Sequence, residues 1–157
     1  MFHRWAAPML VLALCAMSPK YAAGQSTSPS RGHAAKGKVG TNSPNPFNPD
    51  TKINFSVGDE SCAPGTEQHV VTMRILNILS QPVAFPQLYA GSGSTTVAPA
   101  VAGHAIASMT LSCGSYVAYW NGKVAATGKE AASGTYGVQL FIDKALQPGT
   151  VRIFRSK

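Results

Sequence analysis

Carboxylates are scarce in this sequence, and charged residues of either sign are few. Six Asp and Glu stand against thirteen Lys and Arg, a formal net charge of +7, and charged residues make up 12% of the 157 positions. Acid–base catalysis of the two-carboxylate kind needs two such groups converging in a cleft. Asp59 and Glu60 are adjacent, and on a strand they would point to opposite faces. No catalytic residue is predicted, and the protein is not expected to be an enzyme.

Long apolar runs are also missing, which bears on fold class. No stretch reaches the roughly 18 apolar residues of a spanning helix. Charged helix-forming residues are few while Gly, Ser, Thr, Val and Ala abound, and this argues against a helical bundle. At 45% hydrophobic, the chain is too apolar for a disordered protein. One folded domain is the expectation from this length.

The first 24 residues have the pattern of a signal peptide. Arg4 precedes an apolar run over residues 6–17, and Ala22-Ala23-Gly24 fits a cleavage site. Two alternatives remain open, namely lipoprotein processing at Cys15 and retention of the segment as a membrane anchor. The protein is expected beyond the inner membrane, in the periplasm, on the outer membrane surface or outside the cell.

Residues 25–41 are rich in Ser, Gly, Ala and Lys and contain no carboxylate. This composition predicts a flexible basic linker between the signal peptide and a domain over residues 42–157. Export makes nucleic acid an improbable partner, so a solvated tail is the favoured interpretation. Membrane contact is expected only through the N-terminal segment, if that segment is not cleaved.

Cys62 and Cys113 are the two cysteines that follow the signal peptide. An even cysteine count in an exported protein predicts a disulfide, and closing a loop of this length is worth roughly 4 kcal/mol in the chain-entropy model. His69 and His104 could in principle join them at a zinc ion, but the spacings match no zinc motif. Nothing local to either cysteine indicates a base that would activate a thiol. We therefore predict neither a metal nor another cofactor.

Alternating apolar and polar residues predict about seven short strands separated by turn signals. The expected strands cover residues 51–57, 70–79, 83–85, 106–111, 116–120, 136–142 and 151–154. Asn121-Gly122 is a strong hairpin signal. The pattern predicts an all-β fold, an antiparallel β-sandwich that is large enough to bury its own core.

Several short segments together resemble a known bacterial module. The chain contains, in order, Pro44-Asn45-Pro46-Phe47-Asn48-Pro49, a central stretch over residues 73–79 followed by Gln81-Pro82-Val83-Ala84, Trp120-Asn121-Gly122, Ser133-Gly134 followed by Tyr136, and a basic terminal strand with Arg152, Arg155 and Lys157. This ordered set resembles the C-terminal sorting domain of type IX secretion substrates and the similar Ig-like domain of flagellar hook-capping proteins. The resemblance implies an Ig-like sandwich, export beyond the inner membrane and no catalysis.

Three functions follow as hypotheses. The first is a non-enzymatic module that acts in sorting, anchoring or assembly at the cell envelope, with an envelope or secretion-machinery protein as its partner. The second is an accessory structural subunit of a larger membrane-anchored complex, on its periplasmic side. The third is a carbohydrate-binding module, which the aromatic residues Tyr116, Tyr119 and Trp120 invite. A calcium site at Asn42, Asn45, Asn48 and Asp50 is disfavoured because only one of these residues is a carboxylate.

Overall fold

The computed structural model describes residues 36–90, 101–149 and 151–156. These residues form β1 (Gly37–Ser43), β2 (Thr51–Val57), β3 (Gln68–Leu76), β4 (Pro82–Ala84), β5 (Gln87–Leu88), β6 (Met109–Ser112), β7 (Gly114–Trp120), β8 (Gly134–Ile142), β9 (Ala145–Leu146) and β10 (Val151–Arg155). No helix among them could cross a membrane, since every regular element there is a strand. The predicted signal peptide over residues 1–24, with Cys15, lies outside this part of the chain, as does Lys157.

The strands form two antiparallel sheets. One has the order β1-β2-β7-β5, and the other has the order β10-β8-β3-β4 with β6 added to β3 and β9 added to β8. An Ig domain places its strands A, B, E and D in one sheet and C, F and G in the other. The observed orders correspond to A-B-E-D and G-F-C-C′, so the predicted all-β, Ig-like antiparallel β-sandwich is confirmed.

The core lies between the sheets and follows from strand alternation. Inward-facing side chains come from β2, β3 and β8, where every second residue is buried. They include Ile53, Phe55, Val71, Met73, Ile75, Val138, Leu140 and Ile142. Their burial supplies most of the driving force for folding, at about 25 cal/mol per Å² of apolar surface.

The expected linker over residues 25–41 is too long at its C-terminal end. Residues 37–41 belong to β1, which pairs with β2 from Gly37 opposite Val57 to Ser43 opposite Lys52. Val39 is buried, whereas Lys38 faces solvent. The Gly- and Lys-rich composition concealed this strand because it is an edge strand with only one buried apolar anchor. The folded domain therefore includes residues before position 42.

Two further expectations are wrong at element ends. The strand expected over residues 70–79 ends at Leu76, because Asn77 Oδ1 accepts the backbone N–H groups of Leu79 and Gln81 at 3.0 Å and turns the chain. Asn121-Gly122 does not close a hairpin, because β7 and β8 lie in different sheets. The chain crosses there from one layer of the sandwich to the other. The strands β1, β5 and β9 were not expected, which accounts for the excess over seven.

Candidate functional site

The turn that begins at Pro44 lies along the outer edge of β10. Phe47 donates its backbone N–H to the Phe154 carbonyl at 2.8 Å, and Ser156 donates to the Phe47 carbonyl at 3.1 Å. The Asn45 side chain accepts the Phe154 N–H at 2.9 Å and donates to the Arg152 carbonyl at 3.4 Å. The turn thus occupies backbone groups that an edge strand would otherwise present to another chain.

Three aromatic side chains from distant segments pack beneath this turn. The rings of Phe47 and Trp120 have centroids 5.2 Å apart, and Trp120 meets Tyr136 edge-on at the same separation. All three are buried. The Tyr136 hydroxyl donates to the Ala132 carbonyl at 2.7 Å, the backward bond that defines a tyrosine corner in Ig-like sandwiches. Three of the segments that carry the resemblance therefore contribute a ring to one cluster.

Arg155 is buried at the same end of the molecule. Its side chain is 1% exposed, and Nη2 lies 3.1 Å from Glu130 Oε2. Nη1 donates to the Ala131 carbonyl, while Nε is a buried polar atom without a partner among the described residues. Arg155 belongs to the basic terminal strand of the resemblance, and its burial was not predicted. Its spacing of two from Ile153 places it on the inward face of β10, and that spacing was the available signal.

Gly122 fixes the approach of the Trp120-Asn121-Gly122 segment to the turn. Its φ of +70° is a conformation that favours glycine, and a Cβ there would collide with the Pro49 carbonyl oxygen.

Other residues of the resembling segments face solvent. The exposed members outside residues 73–84 are Pro44, Asn45, Pro46, Asn48, Pro49, Asn121, Ser133, Gly134 and Arg152. We call these nine residues the Asn-Pro surface.

A second cluster lies at the other end of β8. Cys62 and Cys113 lie at disulfide-bonding distance, with Cα atoms 6.0 Å apart. Cys113 is fully buried between β6 and β7, whereas Cys62 lies in the loop before β3 and is only partly covered. Pairing of β6 with the start of β3 brings Cys113 beside this loop, and Cys113 donates its N–H to the Glu67 carbonyl at 2.9 Å.

His69 lies beside the buried Cys113 sulfur, and no local sequence pattern predicts this contact. Its Nε2 is 3.7 Å from Cys113 Sγ and 3.7 Å from Glu67 Oε2. Its Nδ1 is 2.9 Å from Asp143 Oδ2, and the imidazole is buried. No spacing rule could reveal this group, because its members come from β3, the β6–β7 junction and the residue after β8.

Asp143 is the electrostatic centre of this second cluster. It accepts hydrogen bonds from Lys36 Nζ at 2.9 Å and from the Val70 N–H at 3.1 Å, in addition to its contact with His69. The hydrogen bonds from Lys36 and His69 hold the pKa of the Asp143 carboxyl well below its usual range. The hydrogen bond between Lys36 and Asp143 also raises the pKa of the Lys36 ammonium group. Asp143 is thus a permanent anion at physiological pH, and His69 Nδ1 is the donor toward it.

One group in the described part of the chain has enough ligand types for a metal. Ligand atoms of Cys62, Glu67, His69 and Cys113 all lie within 4.8 Å of one another. The two sulfurs lie at bonding distance to each other, and a disulfide sulfur is not the thiolate that binds metals.

At the disfavoured calcium site, the Asn45 oxygen accepts from Phe154 and the Asn42 amide donates to Thr51 Oγ1. His104 is exposed and lies apart from the cysteines.

The aromatic residues considered for sugar binding differ in exposure. Tyr116 and Trp120 are buried in the core, and Tyr119 is half-buried on the outer face of its sheet. Tyr119 faces Tyr89, with ring centroids 6.3 Å apart, and Lys52 Nζ lies 4.2 Å from the centre of the Tyr89 ring. This aromatic pair was not predicted, because Tyr89 and Tyr119 lie 30 positions apart in the sequence.

Comparison with known proteins adds no family. No protein-family profile matches the chain, and no curated protein or solved structure shows significant similarity to it.

Proposed function

We propose that this protein is a non-enzymatic, exported Ig-like module that acts in sorting, anchoring or assembly at the cell envelope through protein–protein contacts. One observation carries the proposal. Segments that resemble the sorting and hook-capping modules lie far apart in the sequence, and they converge on the end of the sandwich where β8 begins and β10 ends. The segments that resemble the family in their order along the chain therefore also lie close together in space.

The arrangement separates residues that build this end from residues that a partner could contact. Phe47, Trp120, Gly122, Tyr136 and Arg155 are buried and hold the turn in place. The Asn-Pro surface remains exposed above them and carries amide and proline groups beside the cation of Arg152. A rigid, half-polar patch of this kind suits recognition without a large ordering cost.

Beside the Asn-Pro surface, the geometry favours recognition of a face over addition of a strand to β10. Strand addition requires a free sheet edge with unpaired N–H and C=O groups. The outer edge of β10 bonds to Asn45 and Phe47, and β5 bonds to the segment around His104. The proposed partner, an envelope or secretion-machinery protein, would therefore bind side chains of the Asn-Pro surface.

The disulfide geometry supports the exported location. Disulfides persist in oxidising compartments, and the Cα atoms of Cys62 and Cys113 lie 6.0 Å apart, within the usual range for a disulfide. The signal-peptide pattern over residues 1–24 points the same way.

A reporter fusion tests the sorting role. Residues 25–157 are placed behind an exported reporter in a host that has type IX secretion machinery, and surface delivery is measured. Arg152→Glu should abolish delivery, whereas Lys144→Glu, an exposed charge reversal in the turn between β8 and β9, should leave it intact. Circular dichroism should show both variants folded. Full delivery by the Arg152→Glu protein, and by a chain shortened by residues 150–157, would exclude a sorting role.

The accessory-subunit alternative makes a different prediction. A tagged copy of the protein would co-purify with a membrane assembly from solubilised envelopes, and mass spectrometry would identify the other subunits. An anchoring role for the uncleaved N-terminal segment would be seen as an intact residue 1–24 peptide in the purified complex. Recovery of the processed protein alone would count against this alternative.

A carbohydrate-binding role is favoured by the pair formed by Tyr89 and Tyr119. Both rings are half-buried on the outer face of one sheet, and aromatic faces of this kind can stack on sugars. Tyr119→Ala should then remove binding on a glycan array, while Phe154→Ala on the other sheet should not. Absence of glycan binding by the native protein would remove this alternative.

A further inference from the structure

The two sulfurs of the Cys62–Cys113 pair have unequal surroundings. Cys113 is fully buried, while Cys62 is partly covered and lines an open groove of about 430 Å³. Lys38, Asp59 and Glu60 also border this groove. A thiolate approaching from solvent would therefore reach Cys62 Sγ first, which makes Cys113 the sulfur that leaves.

The buried sulfur has an imidazole nitrogen beside it. His69 Nε2 lies 3.7 Å from Cys113 Sγ, and Nδ1 is fixed by Asp143 at 2.9 Å. Nδ1–H points to the Asp143 carboxylate. The other ring nitrogen, Nε2, faces the Cys113 sulfur. In the protonated imidazole Nε2 also carries a proton, and an adjacent imidazolium stabilises a thiolate.

The charges around the imidazole come from three other parts of the fold. Asp143 follows β8, Glu67 precedes β3 with Oε2 at 3.7 Å from Nε2, and Lys36 precedes β1. Lys36 is itself paired with Asp143 at 2.9 Å, so its charge is largely compensated. Asp59 also lies near this end, together with the groove residues Lys38 and Glu60. The two charged groups nearest the imidazole, Glu67 and Asp143, are both carboxylates.

We propose that the Cys62–Cys113 disulfide is a thiol–disulfide exchange site, in which an external thiolate attacks Cys62 and His69 stabilises the departing Cys113 thiolate. The attacking sulfur forms a new S–S bond with Cys62 Sγ, and the electron pair of the broken bond goes to Cys113 Sγ. The imidazolium form of His69 carries a proton on Nε2, and this proton is shared with or transferred to Cys113 Sγ. A second thiol then attacks the mixed disulfide and frees Cys62. Two external thiols are thereby oxidised to one disulfide while the protein disulfide is reduced to two thiols.

This inference is independent of the proposed function, since it concerns the opposite end of β8 from the Asn-Pro surface. The substrate class is a thiol in its thiolate form, and the groove beside Cys62 is open enough to admit a small one. Lower basicity of the leaving thiol speeds exchange, and an imidazolium neighbour supplies that effect.

The experiment uses the full chain with Cys15→Ser, so that Cys62 and Cys113 are its cysteines. The oxidised protein is exposed to glutathione, trapped by alkylation and digested for mass spectrometry. The glutathione adduct is expected on Cys62. An adduct located on Cys113, or divided equally between the two, would overturn the proposal.

Kinetics test the role of His69. The second-order rate of reduction by dithiothreitol should fall about tenfold in His69→Gln, as expected for loss of a stabilised leaving group. His104→Gln, a change at an exposed histidine, should react at the native rate. In unfolding denaturant all three proteins should react equally, because the folded arrangement is gone. Equal rates for native protein and His69→Gln in the folded state would refute the role of His69.

A second variant covers the case in which His69→Gln does not fold. Asp143→Asn retains the imidazole and weakens the hydrogen bond that orients it, so an intermediate loss of rate is expected. The dependence on thiol concentration separates exchange from unfolding. A native rate that stays constant as dithiothreitol is raised would mean that only the unfolded chain reacts, and it would contradict the proposed site.

Discussion

Phe47 and Trp120 pack with their ring centroids 5.2 Å apart, and this contact holds the turn that begins at Pro44 against the end of β7. Phe47 is the one large apolar side chain of its turn, and it is completely buried. The turn itself is made of prolines and asparagines that cannot form a core. Its position over β10 therefore depends on this ring and on the backbone bonds to Phe154.

Removal of that ring should cost several kcal/mol. Phe47→Ala is expected to lower the free energy of unfolding by about 3–5 kcal/mol, the range for buried aromatic residues. Urea unfolding followed by tryptophan fluorescence measures the loss. Phe154→Ala is the matched control, because Phe154 is 46% exposed on the adjacent strand and should cost less than about 1 kcal/mol. Similar losses in the two variants would contradict the packing described here.

The tyrosine corner can be tested by deleting a single oxygen. Tyr136→Phe removes the bond to the Ala132 carbonyl and should destabilise the protein by about 0.5–1.5 kcal/mol. Tyr116→Phe should behave similarly, because its hydroxyl bonds to the Ser112 carbonyl at 2.7 Å. Tyr119→Phe should be neutral, since that hydroxyl makes no hydrogen bond with the described residues. Chemical denaturation of the three variants provides the comparison.

Glu130 should matter more than an ordinary surface carboxylate. It is 64% exposed, but its partner Arg155 is 1% exposed and would lose its charge partner. Glu130→Ala is expected to cost about 2 kcal/mol, in the range for hydrogen bonds to charged groups. The exposed Glu60→Ala control should stay within about 0.5 kcal/mol of native. A thermal melt that moves equally little in both variants would argue against a structural role for the pair.

Asp143 should make stability depend on acid. Its pKa is depressed in the folded state below the ordinary value of 3.8, so the unfolded chain binds the proton more tightly. The stabilisation is complete above that ordinary value and is lost as the pH falls through the folded-state value. Asp143→Asn should therefore be less stable than native protein near neutral pH, and the difference should shrink below about pH 4. Urea titrations from about pH 7 to about pH 2 measure it. A difference that stays constant over that range would contradict the assignment.

The strands with strict alternation were predictable because each carries its own signal. In β2 and β8 every second residue is apolar and buried, so the pattern alone determines which face is inward. β1 and the ends of β3 were not predictable in the same way. β1 is defined by its pairing with β2, and β3 ends where the Asn77 side chain binds the backbone. Those features depend on partners and hydrogen bonds that spacing does not encode.

The two clusters show the same division. The resembling segments were found from sequence because each is a contiguous stretch with its own turn chemistry. Burial of Arg155 was missed because a basic residue near the chain end resembles a solvated tail, although its parity with Ile153 indicated the inner face. The approach of His69 to Cys113 carried no signal at all, since β3, β6 and β8 bring it about only after pairing.

The sequence by itself determined the all-β class, the strands with clear alternation and the candidate cysteine pair, because these follow from local periodicity and composition. Only the tertiary structure decided which edges are covered, which arginine is buried and which histidine meets a sulfur. Such contacts join residues far apart along the chain, and their formation depends on the register and layering of two sheets that no short stretch specifies.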